Sequence, residues 1–256
     1  VNIVTIIQRS IPFPPIRIEK IITYLKYVYD KDIVNTEELK KNNIDFGRGR
    51  GDITRFLNSI NIVELEGSKV RLSKIGKILV EIYNNSKIMF KILLNNYLYD
   101  RVIQYRILID ILRENSKIDI ETLYRKVNEN IKHISPSTWI NKVAYRTLIN
   151  FSIDLEVIKK DGKYLTYLGH RDLINNIMKD FSTKIGDEIY IDIKGLSNKL
   201  GINHEFLEKY IEQHVEKVKC PNIDFKLIKV KDVDKIIDKI CSLRIEHVMK
   251  FSSTER

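Results

Sequence analysis

Three glycines alternate with two arginines ahead of an aspartate in FGRGRGD, Phe46 to Asp52. Glycine lets a backbone turn tightly and approach a ligand closely, and arginine presents a planar fork of donors that is always charged, so the pairing suits phosphate recognition. The spacing is not that of a nucleoside-triphosphate cradle, which needs G-x-x-x-x-G-K-[ST] after a strand. The stretch is expected instead to loosen the start of a helix, with Gly49 on the buried stripe four residues before Ile53 and Arg48 and Arg50 flanking it outward. Elsewhere His133, His170, His204, His214 and His247 lie apart from one another and from Cys220 and Cys241, without C-x-x-C or H-x-x-x-H spacing, and no G-x-S-x-G elbow occurs. No metal site, cofactor or catalytic nucleophile is expected from these residues.

One further pair has chemical content. Asp192 and Lys194 in IYIDIKG resemble the second half of the PD-(D/E)-x-K nuclease motif, where two carboxylates hold a divalent metal and the lysine aids the attacking water. That motif also needs an upstream aspartate on a neighbouring strand. Asp187 is too close, Asp180 and Asp172 fall on a predicted helix, and Asp161 falls in a predicted hairpin. A restriction-type, metal-dependent nuclease is therefore the alternative reading, and the expected chain is non-enzymatic.

The elements that must position these residues are suggested by a repeat. RFLNSINIVELEGSKVRLSKIG, Arg55 to Gly76, returns in loose form as RTLINFSIDLEVIKKDGKYLTYLG, Arg146 to Gly169. Each copy reads as a helix end, an extended run, a polar tip with glycine and a second extended run. In the first copy's surroundings, Ile18, Ile21, Ile22, Leu25, Val28 and Tyr29 follow the helical period after the non-helical IPFPPIR, and Asn35 or Thr36 caps a short helix TEELKK. A third helix places Ile53, Phe56, Leu57 and Ile60 inward, so Arg48, Asp52, Thr54, Arg55 and Asn58 face outward with Arg50. A hairpin with its tip at Gly67-Ser68 adds Lys69.

The second copy has the same order. Val102, Ile103, Ile107, Leu108, Ile111 and Leu112 form one helix, and Ile120, Leu123, Tyr124 and Val127 a second. Ser135-Pro136 reads as the N-cap and first position of a third. That register buries Ile140, Val143, Ala144 and Leu148 and turns Thr138, Asn141, Lys142, Tyr145 and Ile149 outward. Trp139 reads as a partly buried packing residue. The hairpin has an Asp161-Gly162 turn and a basic tip of Lys159, Lys160 and Lys163.

Helix, helix, helix, two-stranded wing, helix, with the ending VRLSKIGKIL, resembles the winged helix-turn-helix superfamily of archaeal and bacterial DNA-binding proteins, across residues 16–169. The resemblance implies a mainly α fold with small β-wings, built as tandem winged-helix domains over 1–88 and 89–169. It implies a third helix in the major groove and a wing on the adjacent backbone. Double-stranded DNA is the implied partner, bound through Arg48, Arg50, Thr54, Arg55, Asn58 and Lys69 in the first domain and Thr138, Asn141, Lys142, Tyr145, Lys159, Lys160 and Lys163 in the second. Members include transcription regulators and winged-helix replication initiators, and either role fits. A winged-helix protein-interaction scaffold is a further alternative.

Composition agrees with a polyanionic partner. Across 256 residues the formal net charge is +10, and the excess of Lys+Arg is five over residues 1–88, four over 89–169 and one over 170–256. A cationic surface of this kind raises association with nucleic acid. The nearly neutral 170–256 reads as a helical, HTH-like domain or a third winged helix, for assembly: a homodimer or protein partner. Its strand EIYIDIK precedes a helix, a Gly turn and a helix with Phe206, Leu207, Tyr210 and Ile211 inward and Glu205, Glu208, Lys209, Glu212 and Gln213 outward, which repels a duplex. A final single helix buries Val233, Ile236, Ile237, Ile240, Cys241 and Val248. Two cysteines are too few for a disulfide framework, no leader is evident, and no apolar run approaches the roughly 18–20 residues of a membrane span. The expectation is a cytoplasmic, nucleoid-associated protein with no membrane contact.

Overall fold

The structure, a computed structural model, describes residues 13–217 and 227–252. Cys220 and the start of IPFPPIR, Ile11 and Pro12, lie outside the described residues. Phe13 to Arg17 is non-helical, as Pro14 and Pro15 require, and leads into α1 (Ile18–Lys31), β1 (Ile33–Asn35), α2 (Thr36–Lys41), α3 (Asp52–Ser59), β2 (Val63–Glu66) and β3 (Lys69–Leu72). The three strands form an antiparallel sheet in the order β1-β3-β2. Asn35 caps α2 by accepting from the Glu37 amide at 3.0 Å. The hairpin register pairs Glu66 with Lys69, leaving Gly67-Ser68 as the turn, and Gly67 takes the positive φ (62°) that such a two-residue turn requires at its first position.

Two helices follow, α4 (Lys74–Asn85) and α5 (Lys87–Arg101). The second of these is absent from the sequence expectations. Met89, Phe90, Ile92, Leu93, Leu94, Tyr97 and Leu98 are all buried, so apolar residues surround α5 and no amphipathic stripe marks it. The earlier pattern then recurs as α6 (Ile103–Glu114), β4 (Ile118–Asp119), α7 (Ile120–Ile134), α8 (Lys142–Asp154), β5 (Ile158–Asp161) and β6 (Tyr164–Tyr167), with sheet order β4-β6-β5. Asp161 pairs with Tyr164, so the turn is Gly162-Lys163, one residue beyond the predicted Asp161-Gly162.

The pattern appears a third time, with an added edge strand. The elements are α9 (Arg171–Asp180), β7 (Ser182–Ile185), β8 (Glu188–Asp192), α10 (Ile193–Leu200), α11 (His204–Ile211), β9 (Val215–Lys217), β10 (Leu227–Val230), α12 (Val233–Cys241) and α13 (Ile245–Ser252). The sheet order is β7-β8-β10-β9. In all three sheets the last strand lies between the two that precede it in this helix-strand-helix-helix-hairpin order. The architecture is thus mostly helical with small antiparallel sheets.

The chain divides into two compact units, one holding residues 13–81 and 97–168, the other 82–96 and 169–252. In the first, the first two repeats share a core. The Phe56 ring on α3 lies 5.6 Å from Phe13 and 6.1 Å from Phe151 on α8, centroid to centroid. Arg17 forms an ion pair with Asp154, which also accepts from the Ile18 amide at 3.1 Å. Fully burying side chains such as Leu57 and Phe151 contributes about 1.5–3 kcal/mol each.

In the second unit, Ile174, Ile191, Leu196, Leu207, Ile228 and Ile236 build the core. Asn96 donates to the carbonyls of Cys241 (2.9 Å) and Leu243 (2.8 Å), satisfying the end of α12. The expected single final helix is two, α12 and α13. Glu208, predicted to face outward, is 5% exposed.

Candidate nucleic-acid interface

In the first repeat the site is built around a carboxylate that the sequence reading passed over. Asp45, 3% exposed, accepts from the amides of Ile53 and Thr54, each at 2.9 Å, and from the Thr54 hydroxyl at 2.6 Å. These are among the orphan donors of the α3 N-terminus, where a helix dipole favours negative charge. Asp45 occupies the place a bound phosphate would take, so the Arg-Gly stretch serves to bring the chain round to this cap. Gly51 has φ 89°, and a Cβ there would sit 2.1 Å from Asp45 Oδ2. Gly49, expected on a buried stripe, is instead exposed in the loop, and a Cβ would meet nothing.

The cap withdraws one predicted contact. Thr54 is fully buried: its hydroxyl gives its proton to Asp45 and accepts from Tyr24 at 2.7 Å. Burial pushes the Tyr24 hydroxyl well above the ordinary tyrosine range. Short helices with a polar residue beside a buried stripe conceal such inward hydrogen bonds, because periodicity does not separate a flank that is buried and paired from one that is wet. Arg48, Arg50, Arg55 and Asn58 are exposed as predicted. Arg55 is held by Asp52 one turn earlier, whereas Arg48 and Arg50 have no carboxylate in ion-pairing range among the described residues. Lys40 fastens their loop by donating to the Gly49 carbonyl at 2.9 Å. Lys69 is exposed but stands opposite Glu66, beside an Arg71–Glu64 pair at 2.6 Å, so the first hairpin is balanced in charge.

The second repeat corrects the register of its third helix. Ser135 ends α7 as its C-cap, and α8 begins at Lys142 with Asn141 as the cap, accepting from the Ala144 amide at 2.8 Å. Starting the helix six residues early drew the non-helical Ile140 into its buried stripe and rotated its faces. Thr138 (4% exposed) and Tyr145 (2%) are buried, as is Ile149, while Val143 is exposed. The Tyr145 hydroxyl donates to the Ile120 carbonyl at 2.7 Å, and burial raises its pKa. Asn141 is exposed with its oxygen engaged in capping, and Lys142 pairs with Glu121 at 3.2 Å. What α8 leaves fully open is Lys142, Val143 and Arg146. Arg146 was missed because the wrong starting residue gave it no face.

The second hairpin keeps its predicted character. Lys159, Lys160 and Lys163 are exposed. Lys117, also missed, joins them: its Nζ lies 4.7 Å from the centroid of the Tyr164 ring, and Lys163 Nζ lies 5.4 Å from it. Lys117 precedes β4, whose two residues are too few to show a period that would place it. None of these four lysines is within ion-pairing range of a carboxylate among the described residues. The nearby Asp119 is engaged in capping α7, accepting from the Thr122 amide at 3.0 Å. Its hydrogen bonding to Thr122, with a smaller contribution from Lys163, holds that carboxyl below the usual range.

No family model, curated protein or solved structure matches the chain.

In the third repeat, Asp192 caps α10 by accepting from the Gly195 amide at 3.1 Å, and Lys194 lies within that helix, exposed. The D-x-K pair is thus split between a strand end and a helix. Among the described residues no group of three or more His, Cys, Asp or Glu side chains could hold a metal ion. The thiol of Cys241 is pushed up to about 11 by burial, which leaves it protonated near neutrality. No described helix is long and apolar enough to cross a membrane.

Proposed function

We propose that the protein binds double-stranded DNA without catalysing a reaction, through winged-helix units whose main hold on the duplex is phosphate contact from the second hairpin. The observation that carries this reading is the group of exposed lysines, Lys159, Lys160 and Lys163 on the second hairpin with Lys117 beside it over the Tyr164 ring, none with a carboxylate in ion-pairing range among the described residues. Unneutralised cations on a projecting hairpin gain from counterion release when they meet DNA. Three further features support it: the strand order shared by the repeats, the positive balance of residues 1–169, and the open Arg48 and Arg50 beside the capped start of α3.

The same geometry assigns little base reading to α8. A helix that reads the major groove needs a stripe of free donors along its exposed face, and here that face offers Arg146, a Lys142 paired with Glu121, and an apolar Val143. Affinity is therefore weighted toward the backbone, with modest sequence preference.

Fluorescence anisotropy on a random-sequence duplex between about 50 and 200 mM salt tests the proposal. Four to eight phosphate contacts give a log K against log salt slope of about −4 to −7. Absence of binding at the low-salt end, or a slope near zero, overturns it. Arg48→Ala with Arg50→Ala is expected to flatten the slope by up to about two units, whereas Arg55→Ala, whose guanidinium Asp52 already holds, is expected to change it by less than about one.

A further inference from the structure

Trp139 is 63% exposed, contrary to the packing role expected of it. A large aromatic ring left in water is unusual, and the backbone on either side of this one is held in place. The neighbouring Ile140 is clamped to α7: its amide donates to Asn128 Oδ1 at 2.9 Å, and its carbonyl accepts from Asn128 Nδ2 at 3.2 Å and the Tyr124 hydroxyl at 3.1 Å. On the other side a Ser135–Thr138 hydroxyl contact at 2.7 Å and a Thr138 amide to Ser135 carbonyl bond at 3.0 Å close the turn. The ring forms one wall of a groove of about 540 Å³ between α7 and this turn, which Arg125, Glu129 and Lys132 also line. That volume lies within the range of roughly 300–1,000 Å³ typical of ligand sites.

We infer that this groove binds unpaired nucleobases, one stacked on Trp139 with the flanking phosphates on Arg125 and Lys132. The inference rests on the DNA-binding reading for its polymer, and adds a second site that takes single strands. An open ring beside cations is the arrangement by which proteins hold single strands, because every base has a face to stack and each nucleotide carries one phosphate. Lys132 has no carboxylate in ion-pairing range among the described residues. Arg125 approaches Glu129 only at 4.0 Å across exposed side chains, a pairing that a phosphate can displace. Intact duplex does not offer a base face to such a wall. A proline-rich peptide is the other polymer that aromatic grooves hold, but it needs successive open rings. The Tyr124 ring is already covered by Tyr145 at 5.0 Å and by Lys142 at 5.7 Å, leaving Trp139 as the ring available.

Trp139 is the single tryptophan of the chain, so its emission reports on this groove alone. The test is titration of the full chain with an oligodeoxythymidylate of about 16 nucleotides, the upper end of single-strand site sizes. Duplex anisotropy is measured in parallel. Saturable quenching of the emission is expected. In anisotropy, Trp139→Ala is expected to weaken the single strand about 5- to 100-fold while duplex affinity stays within about twofold, and Trp139→Phe to restore most of the loss. Duplex binding with no quenching by the oligonucleotide overturns the inference and leaves the duplex reading standing. Binding of neither polymer overturns both. Quenching by a proline-rich peptide but not by the oligonucleotide replaces the nucleic acid with a protein partner. Circular dichroism of both variants confirms that an exposed substitution has left the fold in place.

Discussion

Asp45→Ala is expected to lower the folding stability of the first unit by about 3 kcal/mol, measured as a shift of its urea unfolding transition. The carboxylate satisfies three buried donors on Ile53 and Thr54. A hydrogen bond to a charged group contributes about 1.5–3 kcal/mol, and donors stranded away from water each carry a desolvation penalty. Against this stands relief from keeping a carboxylate 3% exposed, which returns part of the loss. Asp45→Asn keeps an acceptor oxygen but removes the charge that the helix terminus favours, and should lie between the two. Gly51→Ala should mimic the alanine variant, since its Cβ would collide with the same carboxylate and its φ of 89° is unfavourable for a side chain. A loss below about 1 kcal/mol in Asp45→Ala would mean that the α3 N-terminus does not depend on this cap.

The second large effect concerns binding. Replacing Lys159, Lys160 and Lys163 together by glutamate is expected to reduce duplex affinity more than 100-fold at about 0.15 M salt. Neutralising three phosphate contacts alone removes about 2.7 units of salt slope, and reversal adds repulsion within a Debye length of about 8 Å. Because all three side chains are exposed and make no ion pair among the described residues, thermal stability should stay nearly constant, which separates a binding defect from a folding defect. Lys117→Ala, tested alone, should lower affinity in the same direction by a smaller step. Unchanged affinity in the triple variant would move the interface away from this hairpin.

Much of this molecule was legible in its sequence, for reasons that differ from element to element. α1, α3 and the first hairpin were visible because Ile21, Leu25 and Val28, then Ile53, Phe56 and Leu57, sit at helical spacing and are all buried, and because Gly67 marks the turn. Other parts were hidden by competing signals. Ser135-Pro136 is a sound helix start in isolation, yet α7 runs on to Ile134, and Asn141 supplies the cap six residues later. That error carried Thr138 and Tyr145 to the wrong face. α5 was invisible because it is buried on all sides. The lysines of the second hairpin are exposed as expected, although alternation along β5 puts Lys160 on the face of the buried Ile158: their charge keeps them in water. Asp45 gave no signal, because its partners are amides eight and nine residues away across a loop whose shape only the fold determines.

On the proposed duplex binding, the Phe13–Phe56–Phe151 ladder that knits the first two repeats has a bearing on ligand length. Modules joined by a slack tether adapt to many spacings and lose orientational freedom when both engage; two that grow from one hydrophobic centre behave as a gauge of fixed width. Trimming the duplex should therefore leave affinity flat until the fragment fails to span that width, and then drop it in a single step.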